Sequence, residues 1–341
     1  MAKLTVAGKT EVIIGSGLPA SLLPNRENRS RAAILTQPGP TDLAVEVSRR
    51  LERDGLKCEV IGLPDREHAK TLGVAASVYE ALARFGLARH DTIVGVGGGT
   101  VTDLAGYVAG TWLRGVEVVH FATTLLGAVD ASIGGKTGVN IAGKNLVGVF
   151  WHPTRVIIDV DQLARLPGYL IREGLAEAYK AGLIGDAELA SLIGSEGMRA
   201  PLGEVVERAV RVKATIVDAD ATDQGVRAHL NFGHTIGHAI EYASALSHGE
   251  SVGLGMIAAA AISEKLVSFT GTAMIEDTID SLGLRTRVDG LELARVLDLM
   301  AMDKKRDEAG MRMVLLEEIE KPVLAHVDQS DIEIGLSAIG F

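Results

Sequence analysis

The sequence is poor in cysteine and in long apolar segments. Cys58 is the only cysteine among 341 residues, so an intrachain disulfide is excluded. The longest run of purely apolar and glycine residues, 252–262, is much shorter than the roughly 20 residues that a membrane-spanning helix needs. We interpret it as a buried helix. Because residues 1–10 also lack a long apolar signal core, we expect a cytoplasmic protein.

Positive charge and aromatic residues are also scarce. The 34 basic residues face 44 acidic ones, and the formal net charge of −10 argues against binding nucleic acid or an anionic membrane. A local basic pocket is still allowed. Aromatic residues make up 4% of the chain, whereas apolar residues make up 47% and there are 40 glycines. This composition favours a soluble α/β enzyme with many loops over a fibrous or disordered chain.

Two regions differ in hydrophobic pattern. Up to about residue 160, short β-branched runs alternate with amphipathic helical segments, which predicts βαβ units and a mostly parallel sheet. After that point the patterns are long and rich in Ala and Leu, with one strand-like run at 311–319. We therefore expect an α/β domain over residues 1–160 and a mainly helical domain over residues 161–341. The functional site is expected in a cleft between them.

Two glycine-rich segments match nucleotide-binding motifs only formally. Residues 15–20 fit the GxGxxG/A pattern, but Pro19 and the non-acidic Gln37 at the end of the next strand disfavour a dinucleotide there. Residues 134–137 resemble the end of a Walker A loop, but Asp130 stands where that motif needs glycine. Neither segment therefore predicts a nucleotide site by itself.

A third segment, Gly97 to Thr100, is the stronger candidate. It directly follows a predicted strand at 91–96 and directly precedes a predicted helix. Three glycines there would let the backbone approach a diphosphate, which the N–H groups of the helix N-terminus would bind. The other interpretation is a tight turn that needs positive φ angles.

Polar residues next occupy a glycine-rich belt between residues 114 and 145. They are Asp130, Lys136, Asn140, Lys144 and Asn145. Such a composition is typical of a loop that presents side chains, and the lysines and asparagines could bind an anion. Further along, Glu177 and Lys180 stand at i and i+3 on an apolar helix. They could form a helix ion pair. Alternatively, Glu177 could be a metal ligand and Lys180 an anion-binding cation in the same cleft.

Histidines are concentrated between residues 227 and 249, which hold four of the nine in the chain. His234 and His238 stand at i and i+4, so on a helix both imidazoles leave one face. This spacing suits a metal or an anionic ligand. A pair of core or surface histidines is an equally good interpretation of the spacing alone.

Taken together, six segments resemble the 3-dehydroquinate synthase family. They are "GGGTVTDLAGYVAGTWLRG", "TTLLGAVDASIGGKTGVNIAGKN", "GLAEAYKAGLI", "LNFGHTIGHAIE", "SHGESVGLGM" and "DKK". Their order and spacing match over about residues 11 to 322. The resemblance implies an NAD- and metal-dependent lyase of the shikimate pathway, with zinc or cobalt as the metal. It converts the sugar phosphate 3-deoxy-D-arabino-heptulosonate 7-phosphate into 3-dehydroquinate and phosphate, and is typically a homodimer.

The resemblance also implies roles for particular residues. The metal ligands would be Glu177, His234 and His248, one carboxylate and two imidazoles with an open position. The substrate phosphate would be held by Lys136, Asn145, Lys180, His238 and, from the neighbouring subunit, Arg114. The substrate carboxylate and nearby hydroxyls would be held by Lys213, Arg227, Asn231 and one of Lys304 and Lys305.

For the cofactor, the resemblance implies a Rossmann-like NAD site around the third glycine segment. Its residues would be Glu67, Lys70, Gly97, Gly98, Gly99, Thr100, Asp103, Thr123, Thr124, Asp130, Lys136 and Lys144. Glu67 and Lys70 match a segment near the adenosine ribose, but Arg66 replaces the usual glycine.

Three further places depart from the family pattern. Ala221 and Thr222 stand where an acidic residue is common, and Ala122 stands where proline is common. The segment 242–247 is several residues shorter than usual, which bears on the placement of His248. None of these departures removes an expected ligand.

The alternatives are other sugar-phosphate cyclases and a metal-dependent polyol or glycerol-phosphate dehydrogenase. Cyclases of the 2-epi-5-epi-valiolone or 2-deoxy-scyllo-inosose synthase type alter the residues that hold the carboxylate, whereas Lys213, Arg227 and Asn231 are all present here. A dehydrogenase would accumulate NADH, and a synthase would not. A degenerate binding protein without activity would leave gaps in the polar set, and the sequence has none.

Overall fold

The computed structural model describes residues 1–141, 143–301, 306–307 and 310–341. These residues form two units, one made of residues 1–166 with 213–222, the other of residues 167–212 with 223–341. None of the helices in these ranges is long and apolar enough to cross a membrane.

A seven-stranded sheet organises the first unit. Its strands are β1 (Ala2–Val6), β2 (Thr10–Gly15), β3 (Arg31–Thr36), β4 (Lys57–Gly62), β5 (Thr92–Gly97), β6 (Glu117–Ala122) and β9 (Arg155–Asp159), while β7 (Lys136–Val139) and β8 (Val147–Phe150) form a hairpin. The strand order in the sheet is β1-β2-β9-β6-β5-β3-β4. The β1–β2 pair is antiparallel, and the other pairs of this sheet are parallel. The mostly parallel sheet is thus confirmed. The half-exposed edge strand β1 carries little apolar pattern and was not predicted.

Helices cover both faces of this sheet. They are α1 (Thr41–Arg53), α2 (Leu72–Phe85), α3 (Gly99–Thr111) and α4 (Val160–Leu163). Because successive strand residues point to opposite faces, Ile34 packs with Val47 of α1, whereas the adjacent Leu35 packs with Leu104 of α3. Strands buried on both faces need continuous apolar runs, which explains the pattern seen in the sequence.

The second unit is mainly helical, as predicted. It contains α5 (Gly168–Gly185), α6 (Ala187–Glu196), the first part of α7 (Leu202–Ala219), α8 (His234–Ala243), α9 (His248–Val267), α10 (Thr272–Ser281), α11 (Leu293–Ala301) and α12 (Gln329–Ala338). The strands β10 (Arg306–Asp307), β11 (Gly310–Glu318) and β12 (Lys321–Val327) form an antiparallel sheet, of which the sequence predicted β11. The apolar run 252–262 lies in α9, which is buried as expected.

Candidate active site

The glycine segment of the first unit joins β5 to α3 without positive φ angles. Gly97, Gly98 and Gly99 all have negative or extended φ, so the tight-turn interpretation is wrong. Space is what requires glycine here. A Cβ at Gly97 would lie 2.4 Å from Cγ2 of Val101, and one at Gly99 would lie 3.0 Å from Cβ of Ala131. The backbone at the start of α3 therefore carries no side chains at these glycines, so a diphosphate could approach the N–H groups of the helix N-terminus.

Four of the residues expected at the cofactor lie beside this segment. Glu67 accepts hydrogen bonds from Oγ1 of Thr100 at 3.0 Å and from Nδ2 of Asn140 at 2.9 Å. Lys70 donates to Oδ2 of Asp103 at 2.6 Å, and both side chains are largely buried. Burial raises the pKa of Asp103, although Lys70 opposes the shift.

Arg66 has a left-handed backbone, with φ of 50°. Glycine adopts this conformation without strain, which gives a physical reason for the glycine that the family resemblance leads us to expect there. Gln37 donates from Nε2 to the carbonyl oxygen of Arg66 at 2.8 Å and to that of Pro64 at 2.6 Å. These two hydrogen bonds hold the turn in this conformation although Arg66 is not a glycine.

The next strand ends close to the same segment. The backbone N–H of Thr123 donates to the carbonyl oxygen of Gly97 at 3.0 Å, and Oγ1 of Thr124 accepts from the N–H of Gly127 at 3.0 Å. Asp130 follows in a short π-helical turn, where Lys213 donates to both its carboxylate and its carbonyl oxygen. Lys213, expected at the substrate, is therefore anchored by a residue expected at the cofactor.

The polar belt continues into the β7–β8 hairpin. Lys136 is the exposed first residue of β7, and the N–H of Asn145 donates to Oδ1 of Asn140 at 2.9 Å. Arg114 is exposed at the end of a short 3₁₀ turn, where it and Leu113 both have left-handed φ angles, 64° and 50°. Strain of about 1–3 kcal/mol per residue persists only where the surroundings impose it.

In the second unit, three side chains from three helices meet. Oε1 of Glu177 on α5 lies 3.3 Å from Nε2 of His234, the first residue of α8, and 3.3 Å from Nε2 of His248, the first residue of α9. The carboxylate is 1% exposed, and Oε1 accepts no well-formed hydrogen bond. One carboxylate oxygen and two imidazole nitrogens within 4.8 Å of one another are a donor set that fits zinc.

Glycines bring these three helices together. A Cβ at Gly249 would lie 2.5 Å from Cα of Glu173, one turn before Glu177 on α5. A Cβ at Gly255 would lie 1.9 Å from the carbonyl oxygen of Gly233, which precedes His234. Because neither position has room for a side chain, the backbones of α5, α8 and α9 approach closely enough for the three ligand atoms to converge.

The electrostatics of the cluster suit a cation. Burial alone would raise the pKa of Glu177, but Lys180, His234 and His248 hold it well below its usual value. Burial and Lys180 lower the pKa of His234, so its imidazole is neutral. Burial would also lower the pKa of His248, but the nearby carboxylates of Glu177 and Glu241 raise it to about 10. The imidazole of His248 thus lies between two carboxylates, which favour a positive charge there.

The remaining predicted residues of this unit lie around the same helices. Lys180 is buried and donates to Oε2 of Glu177. His238 is half-buried, with its ring 5.1 Å from that of His234. Arg227 is 1% exposed, and it shares the 3₁₀ segment Val226–Asn231 with Asn231. Lys304 and Lys305 lie outside the described residues.

Sequence reasoning missed one charged residue at the cluster. Glu241 lies 3.3 Å through Oε2 from Nδ1 of His248. It follows His238 by three positions on α8, so helical spacing alone places both on one face. That signal was available, but the sequence did not indicate that α9 packs against this face.

Comparison with known proteins identifies the relatives of the chain. The N-terminal family model of 3-dehydroquinate synthase matches residues 60–173, and the C-terminal model matches residues 174–306. A 3-dehydroquinate synthase of Corynebacterium jeikeium is 41% identical over 92% of this chain and 88% of its own.

Solved structures give the same fold. A 2-deoxy-scyllo-inosose synthase in complex with carbaglucose-6-phosphate, NAD⁺ and Co²⁺ superposes with a TM-score of 0.90 at 24% identity, over 98% of this chain and 100% of its own. A 2-epi-5-epi-valiolone synthase from Streptomyces hygroscopicus with NAD⁺ and Zn²⁺ bound superposes with a TM-score of 0.86 at 25% identity, over 99% and 98%.

Proposed function

Because the chain belongs to the 3-dehydroquinate synthase family, we propose that it converts 3-deoxy-D-arabino-heptulosonate 7-phosphate into 3-dehydroquinate and phosphate. The reaction class is a carbon–oxygen lyase of the shikimate pathway, at work in the cytoplasm as a homodimer. The observation that carries the proposal is the convergence of Glu177, His234 and His248 on one buried point, in a chain that also has a bare glycine segment at a helix N-terminus.

Two bound groups complete this chemistry. When bound, NAD⁺ would supply reversible hydride transfer at C5 of the substrate, and a divalent metal would supply a Lewis acid for the C5 hydroxyl. Glu177, His234 and His248 would hold the metal. Gly97 to Gly99 would receive the cofactor diphosphate, and Glu67 and Lys70 would bind near the adenosine ribose. The other residues that would line the cofactor are Asp103, Thr123, Thr124, Asp130 and Lys144.

The substrate phosphate is held by cationic and amide side chains. They are Lys136, Asn145, Lys180, His238 and, from a second copy of the chain, Arg114. A ketone at C5 labilises the C6 proton, and a phosphate fixed close to C6 can take that proton as it leaves. Lys180 has a second role. Its ammonium neutralises Glu177, so that the buried carboxylate stays charged in its apolar helix.

Selection of this substrate over its relatives depends on its carboxylate. Arg227 is buried, so water competes little for its guanidinium. The guanidinium can therefore bind the substrate carboxylate through two hydrogen bonds. Lys213 is oriented by Asp130, and Asn231 shares the turn with Arg227. The last stages of the conversion are opening of the sugar ring and closure of the carbocycle. The same contacts hold the open chain in the geometry from which the aldol closes the carbocycle.

The test is a stoichiometry measurement. Zinc-loaded protein with NAD⁺ and the heptulosonate phosphate should release phosphate with no net absorbance from NADH. Sedoheptulose 7-phosphate, which lacks the carboxylate, should give at least about 100-fold lower kcat/KM, as expected when a buried cation loses its partner. Net NADH formation would indicate a dehydrogenase instead. Equal rates with both sugars would indicate another cyclase.

A matched pair of variants tests the carboxylate contact. Arg227→Gln should raise KM for the heptulosonate phosphate. It should also lower the ratio of kcat/KM for this substrate to kcat/KM for sedoheptulose 7-phosphate. Arg211→Gln is the control, because Arg211 is an exposed residue of α7 paired with Glu207. Its kinetic constants should equal those of the unaltered protein, and an unchanged preference in the Arg227 variant would contradict the assignment.

A further inference from the structure

We propose that Glu241 is a positioning residue that holds the imidazole of His248 in the orientation required for metal binding. The inference rests on the metal centre of the proposed function. Its starting observation is that the two nitrogens of one imidazole face two different carboxylates. Nδ1 of His248 lies 3.3 Å from Glu241, and Nε2 lies 3.3 Å from Glu177.

The tautomer of His248 follows from this arrangement. A neutral imidazole has one N–H and one lone pair, and a carboxylate at Nδ1 stabilises the tautomer that carries its proton there. The lone pair of Nε2 is then directed at Glu177 and His234, the other two metal ligands. Without Glu241, the ring could carry its proton on Nε2 or rotate about its side-chain bonds, and either change removes a ligand.

The backbone of His248 is fixed by other residues. Ser247 caps α9, its hydroxyl accepts from the N–H of Glu250, and the carboxylate of Glu250 accepts from the N–H of Ser247 at 3.1 Å. This capping box sets where α9 begins, but the polar contacts of the His248 ring are with Glu177 and Glu241. Among these residues, Glu241 contacts the ring on the side away from the metal ligands, so orientation of the ring depends on it.

Local helix energetics do not account for a glutamate at position 241. It lies in the last turn of α8, where the partial negative charge of the helix C-terminus disfavours an acid. Its side chain is 12% exposed, so it also gives up hydration. The interaction with His248 offsets both costs.

A different role for Glu241 is direct ligation. His238, Glu241 and His248 also present ligand atoms within 4.8 Å of one another. The two clusters share His248, whose Nδ1 faces Glu241 and whose Nε2 faces Glu177. The cluster with Glu177 is the more buried of the two, and its carboxylate oxygen accepts no well-formed hydrogen bond. The geometry therefore favours metal at Nε2 and a hydrogen bond at Nδ1.

Two substitutions separate these roles. Glu241→Gln keeps an oxygen that can accept from Nδ1, whereas Glu241→Ala removes it. Zinc affinity of the metal-free full chain is measured by competition with a chromophoric chelator. We expect the alanine variant to raise the zinc Kd about 10- to 100-fold, the usual effect of removing such a partner, and the glutamine variant to raise it less than about 5-fold. The Co²⁺ absorption spectrum should change in the alanine variant and be retained in the glutamine variant.

The controls distinguish the failure modes. Glu264→Ala, an exposed glutamate on α9, should bind zinc as the unaltered protein does. Circular dichroism of the metal-free variants checks that each is folded. An unchanged zinc Kd in Glu241→Ala would overturn the proposal, as would a glutamine variant as impaired as the alanine one, which would make Glu241 a ligand. If His248→Ala binds zinc normally, the proposed metal centre itself is wrong.

Discussion

Replacement of His248 by alanine should remove bound zinc and lower kcat at least about 1,000-fold. One of three ligands is lost, and Glu177 and His234 alone form an incomplete site for a tetrahedral ion. A catalytic metal supplies several kcal/mol of charge stabilisation, and each ~1.4 kcal/mol is a factor of ten in rate. The measurement combines metal analysis after dialysis with steady-state kinetics of phosphate release.

His238→Ala is the matched control for this experiment. It removes an imidazole from α8, the helix of His234, whose ring lies 5.1 Å from that of His238. His238 is not part of the group formed by Glu177, His234 and His248. We expect it to retain stoichiometric zinc and to bind the substrate phosphate more weakly. Stoichiometric zinc in the His248 variant, or loss of zinc in the His238 variant, would mean that the ligand set is wrong.

The substitution Gly255→Ala should have the largest effect on stability. The new Cβ would lie 1.9 Å from the carbonyl oxygen of Gly233 and 2.8 Å from the backbone nitrogen of Gly237. Both are main-chain atoms of or next to α8, so no change of rotamer can relieve the clash and the helices must separate. We expect the free energy of unfolding to fall by about 3 kcal/mol or more, although alanine in a helix gains up to about 1 kcal/mol over glycine.

The control lies two residues away on the same helix. A Cβ at Gly253 would meet Cγ2 of Ile279 at 3.3 Å, a side-chain atom that can move. Gly253→Ala should therefore leave the midpoint of urea unfolding within a small margin of the unaltered protein. Because separation of α8 from α9 displaces His234, the Gly255 variant should also bind zinc more weakly. Equal unfolding midpoints for the two variants would contradict the close helix approach.

The alternation of strands and helices could be predicted because it is local. A parallel strand covered by helices on both faces must be continuously apolar, and the runs ending at Gly97 and Ala122 show it. Edge strands are less constrained, so β1 and β12 leave weaker signals. The glycine segment was correctly placed between a strand and a helix, but the reason for its glycines became clear only from the crowding by Val101 and Ala131.

The sequence by itself indicated the family, the two kinds of hydrophobic pattern, and residue types that are suited to binding a metal and anions. Only the tertiary structure showed which histidines lie beside Glu177. Helical spacing places His234 and His238 on one face, but it carries no information about which helix packs there. Gly249 and Gly255 allow α9 to approach closely, so that Nε2 of His248 lies near Glu177 and His234. Glu241 then faces Nδ1, on the other side of the same ring. Such contacts join residues far apart in the chain, and local periodicity cannot specify them.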